Sequence, residues 1–195
     1  MTYFASGDSE ARERIIAVAL RLFSDQGYQG VTVRDIGDAL GVRHTSLYHH
    51  FPDGKEELFI VATARRMEHY RQSLEKAIQE ATGDWQARLR AAAVWLLEQP
   101  AMHLGRMLQT ELRELSEEGA TQLQGIIFTS LLLPIDAVLR EALANKPERL
   151  AQSKTIAGMF YSLVDGIDSL PASYVPGTRM TLLDTVLDVF IHGLV

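Results

Sequence analysis

The sequence predicts an all-α protein of about nine helices. Three observations carry this: apolar residues recur at three- and four-residue spacing, strand-like alternation bounded by turns is absent, and Gly and Pro fall mostly between the helical patterns. Of 195 residues, 47% are hydrophobic and 23% charged, which is enough apolar material for a buried core. With no internal repeat and no low-complexity segment, the length fits one or two domains of ordinary size.

Ile16, Ala19, Leu20 and Phe23 mark the first helix, with Asp8 and Ser9 as candidate caps and Gly27 as its stop. Thr32 opens a short second helix. Its hydroxyl can cap, Asp35 stands at the acid position of a capping box, and Gly41 ends the run. A third short helix extends from about His44 to Phe51, and Pro52 stops it because proline cannot continue the hydrogen-bond ladder. Asp53-Gly-Lys-Glu56 repeats the acidic cap and opens a long fourth helix with a stripe of Met67, Tyr70, Leu74, Ala77 and Ala81, broken at Thr82-Gly-Asp84. The fifth runs from near Trp85 to Gln99-Pro100, and the sixth from about Ala101 to Leu115, until Ser116-Glu-Glu-Gly119 interrupts it. The seventh, Thr121 to Ala144, is apolar nearly all round at Ile126 to Leu133, which places it centrally in its domain, with a kink at Pro134. The eighth follows Pro147 and carries Ile156, Met159, Phe160, Leu163, Val164 and Ile167. The ninth follows Pro176-Gly177 and carries Leu183, Val186, Leu187 and Phe190. Residues 1–60 are expected to form one domain of three helices and residues 61–195 a second helical domain.

Composition narrows the function. The absence of cysteine excludes disulfides, thiolate metal sites and cysteine nucleophiles. Met1 to Arg14 lacks the apolar core of a signal peptide, and the longest apolar stretch, Ile126 to Ile135, is too short to span a bilayer and contains Pro134. A soluble cytoplasmic protein with no membrane partner is expected. No H-E-x-x-H, G-x-S-x-G, phosphate-cradling glycine loop or EF-hand loop is present. Ser73-Leu-Glu-Lys76 fits S-x-x-K only by chance, mid-helix on a charged face. His44, His49, His50, His69, His103 and His192 form no ligand set. The reading is therefore of no catalytic residue, no metal, no cofactor and no enzyme.

The second helix, the turn at Gly41-Val42 and the third helix form a short-helix, tight-turn, short-helix unit that can lay its second helix in a DNA major groove. At about 100° per residue, Leu47 and Phe51 face inward, Thr45 and His49 outward, and Ser46 and Tyr48 flank them. These hydroxyls and imidazoles suit base edges and phosphates, and no acid lies on that face. Thr32 and Lys55, in the first turns of their helices, are placed to hold phosphate. The net charge of −6 argues against indiscriminate nucleic-acid binding. Salt confines each charge's influence to roughly 8 Å, so a local basic patch of Arg43, His44, His49, His50 and Lys55 can still act, interrupted by Asp53. Geometry alone leaves open a helical interaction or ligand-carrying protein that does not touch DNA.

The stretch Thr32-Val-Arg-Asp-Ile-Gly-Asp-Ala-Leu-Gly-Val-Arg-His-Thr-Ser-Leu-Tyr-His-His-Phe51, followed by Pro-Asp-Gly-Lys-Glu-Glu-Leu58, resembles the signature of TetR-family repressors, and Leu22-Phe23 and Gly27-Tyr28 fit the same pattern. The resemblance is specific over residues 10 to 60; beyond them it lies only in helix count, lengths and size. It implies an N-terminal helix-turn-helix domain, a C-terminal ligand-binding and dimerisation domain, a homodimer on a palindromic double-stranded operator, and release by a small molecule. It gives DNA-contact roles to Thr32, Thr45, Ser46, Tyr48, His49, His50 and Lys55, and Arg34, Arg43 and His44 are further DNA-contact candidates beside them. Two departures are Arg43, where the family usually has a serine cap, and the Pro-Asp-Gly insertion before Lys55.

The same resemblance places an effector cavity in the second domain. The sequence offers Tyr70, Trp95, Met102, His103, Met107, Phe128, Phe160 and Tyr161 as lining, with Gln109, Asp165 and Asp168 as further polar groups, although residues of the apolar kind are more often plain core than ligand wall. On a helical projection Asp165 lies opposite the stripe of Ile156, Phe160 and Val164 and should be solvated. The last two helices carry apolar faces wide enough for both a core and a partner. Two from each chain make a four-helix bundle, and the dimer would present half-sites about 34–36 Å apart.

Overall fold

The structure, a computed structural model, describes residues 10–99, 110–171, 173 and 177–194. The proposed caps Asp8 and Ser9, most of the sixth predicted helix with Met102, His103, Met107 and Gln109, and Pro176 lie outside the described residues. The described chain is helical with no strand. Its α-helices are α1 (Glu10–Gln26), α2 (Val33–Leu40), α3 (Lys55–Glu80), α4 (Trp85–Glu98), α5 (Glu117–Ile127), α6 (Leu133–Ala142), α7 (Pro147–Leu150), α8 (Ser153–Asp165) and α9 (Arg179–Leu194). The chain forms two compact units, one from residues up to 68 with residues 110–126, the other from the remainder. Residues 61–68 and 110–126, assigned from sequence to the second domain, thus belong to the first unit.

The first unit is built on inward faces set by helical spacing. Ile15, Ile16, Ala19 and Phe23 of α1 are buried, as are Ile36 of α2, Leu47, Phe51 and Leu58. Burying each large side chain contributes about 1.5–3 kcal/mol. Phe59 stands edge-on to Phe23 at 5.0 Å and meets Tyr28 at 4.9 Å, closing an aromatic cluster. Arg65 reaches Glu13 at 2.6 Å and Arg66 donates to Ser24 Oγ at 3.0 Å, tying α3 to α1.

In the second unit α6 packs against α4 and α8, and α9 against α4 and α8. Ile135, Leu139, Leu89 and Phe160 are fully enclosed, and Ala92, Ala93 and Ala157 let the backbones approach. Arg88–Glu141 at 2.5 Å and Arg90–Asp184 at 2.7 Å join α4 to α6 and α9.

Three elements differ from the sequence expectation. Ser116-Glu-Glu-Gly119 also opens the next helix, which begins four residues ahead of the expected Thr121: Ser116 Oγ accepts from Gly119 N at 3.0 Å, and Glu117 is the first residue of α5. The kink expected at Pro134 takes the form of a π-turn over Phe128–Leu132, with the Leu133 N–H bonded to the Phe128 carbonyl. Proline supplies no N–H and crowds the carbonyl four residues back, so the preceding turn widens. The eighth predicted helix is divided into α7 and α8, and a 3-10 turn, Gly166–Ser169, follows it. The membrane argument also changes: Glu117–Ala142 is long and apolar enough to cross a bilayer, with hydropathy 1.5 over its 18-residue window, but half of that window is buried inside the protein. The burial marks a core helix.

Candidate nucleic-acid interface

The interface is assembled from the start of α2 onward. Thr32 Oγ1 accepts from Asp35 N at 3.2 Å, while the Asp35 carboxylate accepts from Thr32 N at 2.8 Å and from Thr32 Oγ1 at 2.6 Å. The capping box expected from sequence is present. Asp35 is exposed, and the Thr32 hydrogen bonds hold its carboxyl below the usual carboxylate range. Gly41 closes α2 at φ 70°, a left-handed cap that a side chain would strain. Gly37, which the sequence reading passed over, is the second requirement of the turn: a Cβ there would stand 3.1 Å from His44 N and from Val42 O.

The third helix is a 3-10 helix, His44–His49, rather than the expected α-helix. Arg43 offers no side-chain cap and Pro52 follows closely, so short i→i+3 turns prevail, with Ser46 N bonded to Arg43 O at 2.9 Å and His50 N to Leu47 O at 3.0 Å, before Phe51 N closes an i→i+4 bond to Leu47 O at 2.9 Å. Residues three apart then superpose: Thr45 lies over Tyr48 and Ser46 over His49, where α-helical steps had set Thr45 with His49. The inward and outward sets survive this change. Leu47 and Phe51 are buried, whereas Arg43, His44, Thr45, Ser46, Tyr48 and His49 are exposed and His50 is half-buried. Tyr48, 46% exposed, is a large aromatic side chain left open to solvent. Arg34 is exposed, 3.8 Å from Asp38.

Lys55 is held differently. It is half-buried, its ammonium stands 4.1 Å from the centroid of the Tyr28 ring, and burial lowers its pKa against the opposing pull of Glu114. Burial, Glu56 and Glu114 together push the Tyr28 phenol up. The next residue, Glu56, accepts from Ser116 N at 3.0 Å and from Ser116 Oγ. Glu111 accepts from the Tyr28 backbone N–H, and its burial raises its own pKa. Ser116 lies 60 residues from Glu56 in sequence, and no local pattern could have announced the pairing.

The second unit brings together some of the residues predicted for an effector. Tyr70 meets Trp95 edge-on at 5.5 Å, and Tyr161 is buried with its phenol pushed up by burial, by Asp165 and by Tyr70. Asp165 is half-buried and accepts from Tyr161 Oη at 3.5 Å, so it is not the solvated residue the projection suggested. Phe160 is core, packed on Phe190 at 5.3 Å, and the Phe128 ring lies 5.3 Å from Lys154 Nζ. A cleft of about 480 Å³ opens elsewhere, between α8 and α9, lined chiefly by Ile156, Met159, Leu163, Val186, Val189 and Phe190. Among the described residues, none of the predicted effector candidates lines it. Among the described residues, no three His, Asp or Glu side chains converge as a metal site would require.

A capped α2, a glycine turn and an outward-facing polar 3-10 helix define a helix-turn-helix protein with a separate helical unit. Residues 15–62 match the tetR family of bacterial regulatory proteins. The chain is 42% identical over 76 residues to the HTH-type transcriptional regulator LmrA of Bacillus subtilis, covering 39% of each protein. It is 47% identical over 53 residues to the HTH-type transcriptional repressor KstR2 of Rhodococcus jostii, covering 27% of this chain and 26% of that one. The matches thus span well under half the length of these relatives. The fold of the FadR regulator of Bacillus subtilis, solved in complex with stearoyl-CoA, is similar over 93% of this chain and 98% of that one, at TM-score 0.65 and 19% identity. The likeness to the tetR family thus lies in residues 15–62, and beyond them the similarity is one of fold.

Proposed function

We propose that the chain is a transcriptional repressor that binds a palindromic operator in the cytoplasm as a homodimer and is released by a small apolar or aromatic ligand. The observation that carries the reading is the exposed set of Thr45, Ser46, Tyr48 and His49 on a helix fixed by the Leu47 and Phe51 anchors. Exposed hydroxyls and imidazoles on an element of this size fit base edges in the major groove. Thr32, Arg34, Arg43, His44 and His50 flank them and set register on phosphate. KstR2, named a repressor, supports repression over activation.

Dimerisation is assigned to α8 and α9. Met159 (57% exposed), Leu163 and Val189 (69% exposed) leave an apolar face that a twofold copy would cover. For the effector, Tyr70, Trp95 and Tyr161 are the best-placed wall, with Asp165 as polar anchor; Phe128 and Phe160 support it. The stearoyl-CoA complex of the B. subtilis FadR, a protein of the same fold, supports an apolar ligand.

Selection of bound duplexes from a random DNA pool tests this reading. It should enrich an inverted repeat with half-sites about 34–36 Å apart, bound less tightly as salt rises. A pool that yields no enriched sequence overturns it.

A further inference from the structure

Lys55 is a DNA-contact candidate whose charge the protein already engages on an aromatic face. Its ammonium rests 4.1 Å over the Tyr28 ring, and that ring is held in turn by Phe23 and Phe59. The surroundings of the pair come from a distant part of the chain. Glu56 clasps Ser116 through two hydrogen bonds, and Ser116 caps the first turn of α5 by accepting from Gly119 N. The clasp is close-fitting: a Cβ on Gly119 would stand 2.2 Å from Glu56 Oε1 and 2.9 Å from its carboxyl carbon. Two residues before Ser116, the 3-10 turn Leu112–Glu114 ends on an exposed Glu114. Its carboxylate acts on both Lys55 and Tyr28, favouring the charged ammonium and disfavouring an ionised phenol.

An ammonium seated on an aromatic face already has a partner for the charge that a phosphate would otherwise take up. One cation cannot fully satisfy both. We propose that Tyr28 and Glu114, fixed in place by the Glu56–Ser116 clasp, form an internal holding site that competes with DNA phosphate for Lys55, so that residues 110–119 set the affinity of the DNA-binding unit. The inference rests on the proposed function and deepens it by naming a segment outside the helix-turn-helix as a determinant of its binding. Glu114 is a positioning residue here, acting through Lys55.

Glu114→Gln and Gly119→Ala, the second of which pushes the Glu56 carboxylate off Ser116, each test the idea, alone and combined with Lys55→Ala. Binding to the selected operator duplex is measured across salt. Glu114→Gln should tighten binding roughly fivefold at moderate salt and steepen the salt slope by about 0.9, the value of one further phosphate contact. Gly119→Ala should move both in the same direction, and Glu114→Asp, which keeps the charge, should behave as the parent. In a Lys55→Ala background both effects should vanish. Simple removal of a repelling acid would persist there, and that outcome overturns the proposal. A second readout needs no DNA: acetylation of Lys55 by a water-soluble ester, followed by mass spectrometry of the intact chain, should run several-fold faster in Glu114→Gln. Unchanged labelling together with unchanged binding defeats the holding site while the proposed function stands. A parent protein that binds no duplex defeats the proposed function and the inference with it.

Discussion

Thr32 and Asp35 satisfy one another at the entrance to α2: the threonine hydroxyl oxygen takes the Asp35 N–H, and the aspartate takes the Thr32 N–H and O–H. The pair orients the first turn of the helix that positions the recognition segment. Thr32→Ala should therefore lower Tm by about 2–4 °C and weaken operator binding, and Thr32→Ser should restore most of both. The sign of the pH dependence follows from the Asp35 shift. A carboxyl held below its usual range stabilises the fold above the unfolded pKa, and that contribution is lost as pH falls through the lowered value. Thermal melts between neutral pH and pH 2 should show the parent and Thr32→Ala converging at the acid end; a constant difference would deny Asp35 its part.

Tyr48 and His49 project from the 3-10 helix, which leaves them exposed and makes their truncation a clean probe of binding. Tyr48→Ala and His49→Ala should each weaken operator binding by about 1–3 kcal/mol, as base-edge or phosphate contacts do, with melting and oligomeric state unchanged. Gel-shift titration of both variants at one salt concentration checks this. Parent-like affinity in both removes the recognition segment from the interface.

What the sequence could disclose follows the range of the forces involved. The Thr32–Asp35 box and the Gly41 turn are local events, and residue type at fixed spacing revealed them. Leu47 and Phe51 declared their burial because each is a large apolar residue in a short polar run. The 3-10 geometry did not show, since the residues are compatible with either helix and only the crowding between Gly41 and Pro52 decides. The early start of α5 did not show because a Ser-Glu-Glu-Gly run that ends one helix can also begin the next. Asp165 was placed in solvent by a projection that holds one helix and no neighbours. The Glu56–Ser116 clasp needs the chain to fold back over 60 residues, and no pattern along it encodes that return.

Glu111 offers a test of stability in the same region. Burial raises its pKa, against the lowering effects of the Tyr28 N–H and the Arg66 charge. A carboxyl whose folded pKa exceeds its unfolded value favours folding as pH falls and is a liability above that range, where it must be ionised while partly desolvated. Glu111→Gln retains an acceptor for the Tyr28 N–H but discards the charge. Its Tm should rise by about 1–2 °C at neutral pH, a gain cut by the lost attraction to Arg66. The gain should shrink towards zero at pH 4. Differential scanning calorimetry at the two pH values decides it, and a variant less stable at neutral pH shows that the Arg66 attraction dominates.

Val189 separates assembly from folding. It is 69% exposed on α9 and borders the apolar cleft between α8 and α9. A charge placed there meets water in an isolated chain, so Val189→Glu should melt as an independent fold with its helical content intact. In a twofold dimer each interface holds the residue twice. Two carboxylates are then held without partners in a desolvated seam, and each unpaired buried charge costs several kcal/mol. Dimer association should weaken by at least about 100-fold, the equivalent of about 2.7 kcal/mol, and sedimentation velocity at micromolar concentration should show a monomer. Because two half-sites must be read together, operator affinity should fall with it, and DNA binding should recover in part at high protein concentration. A Val189→Glu protein that sediments as a dimer moves the assembly surface away from α8 and α9.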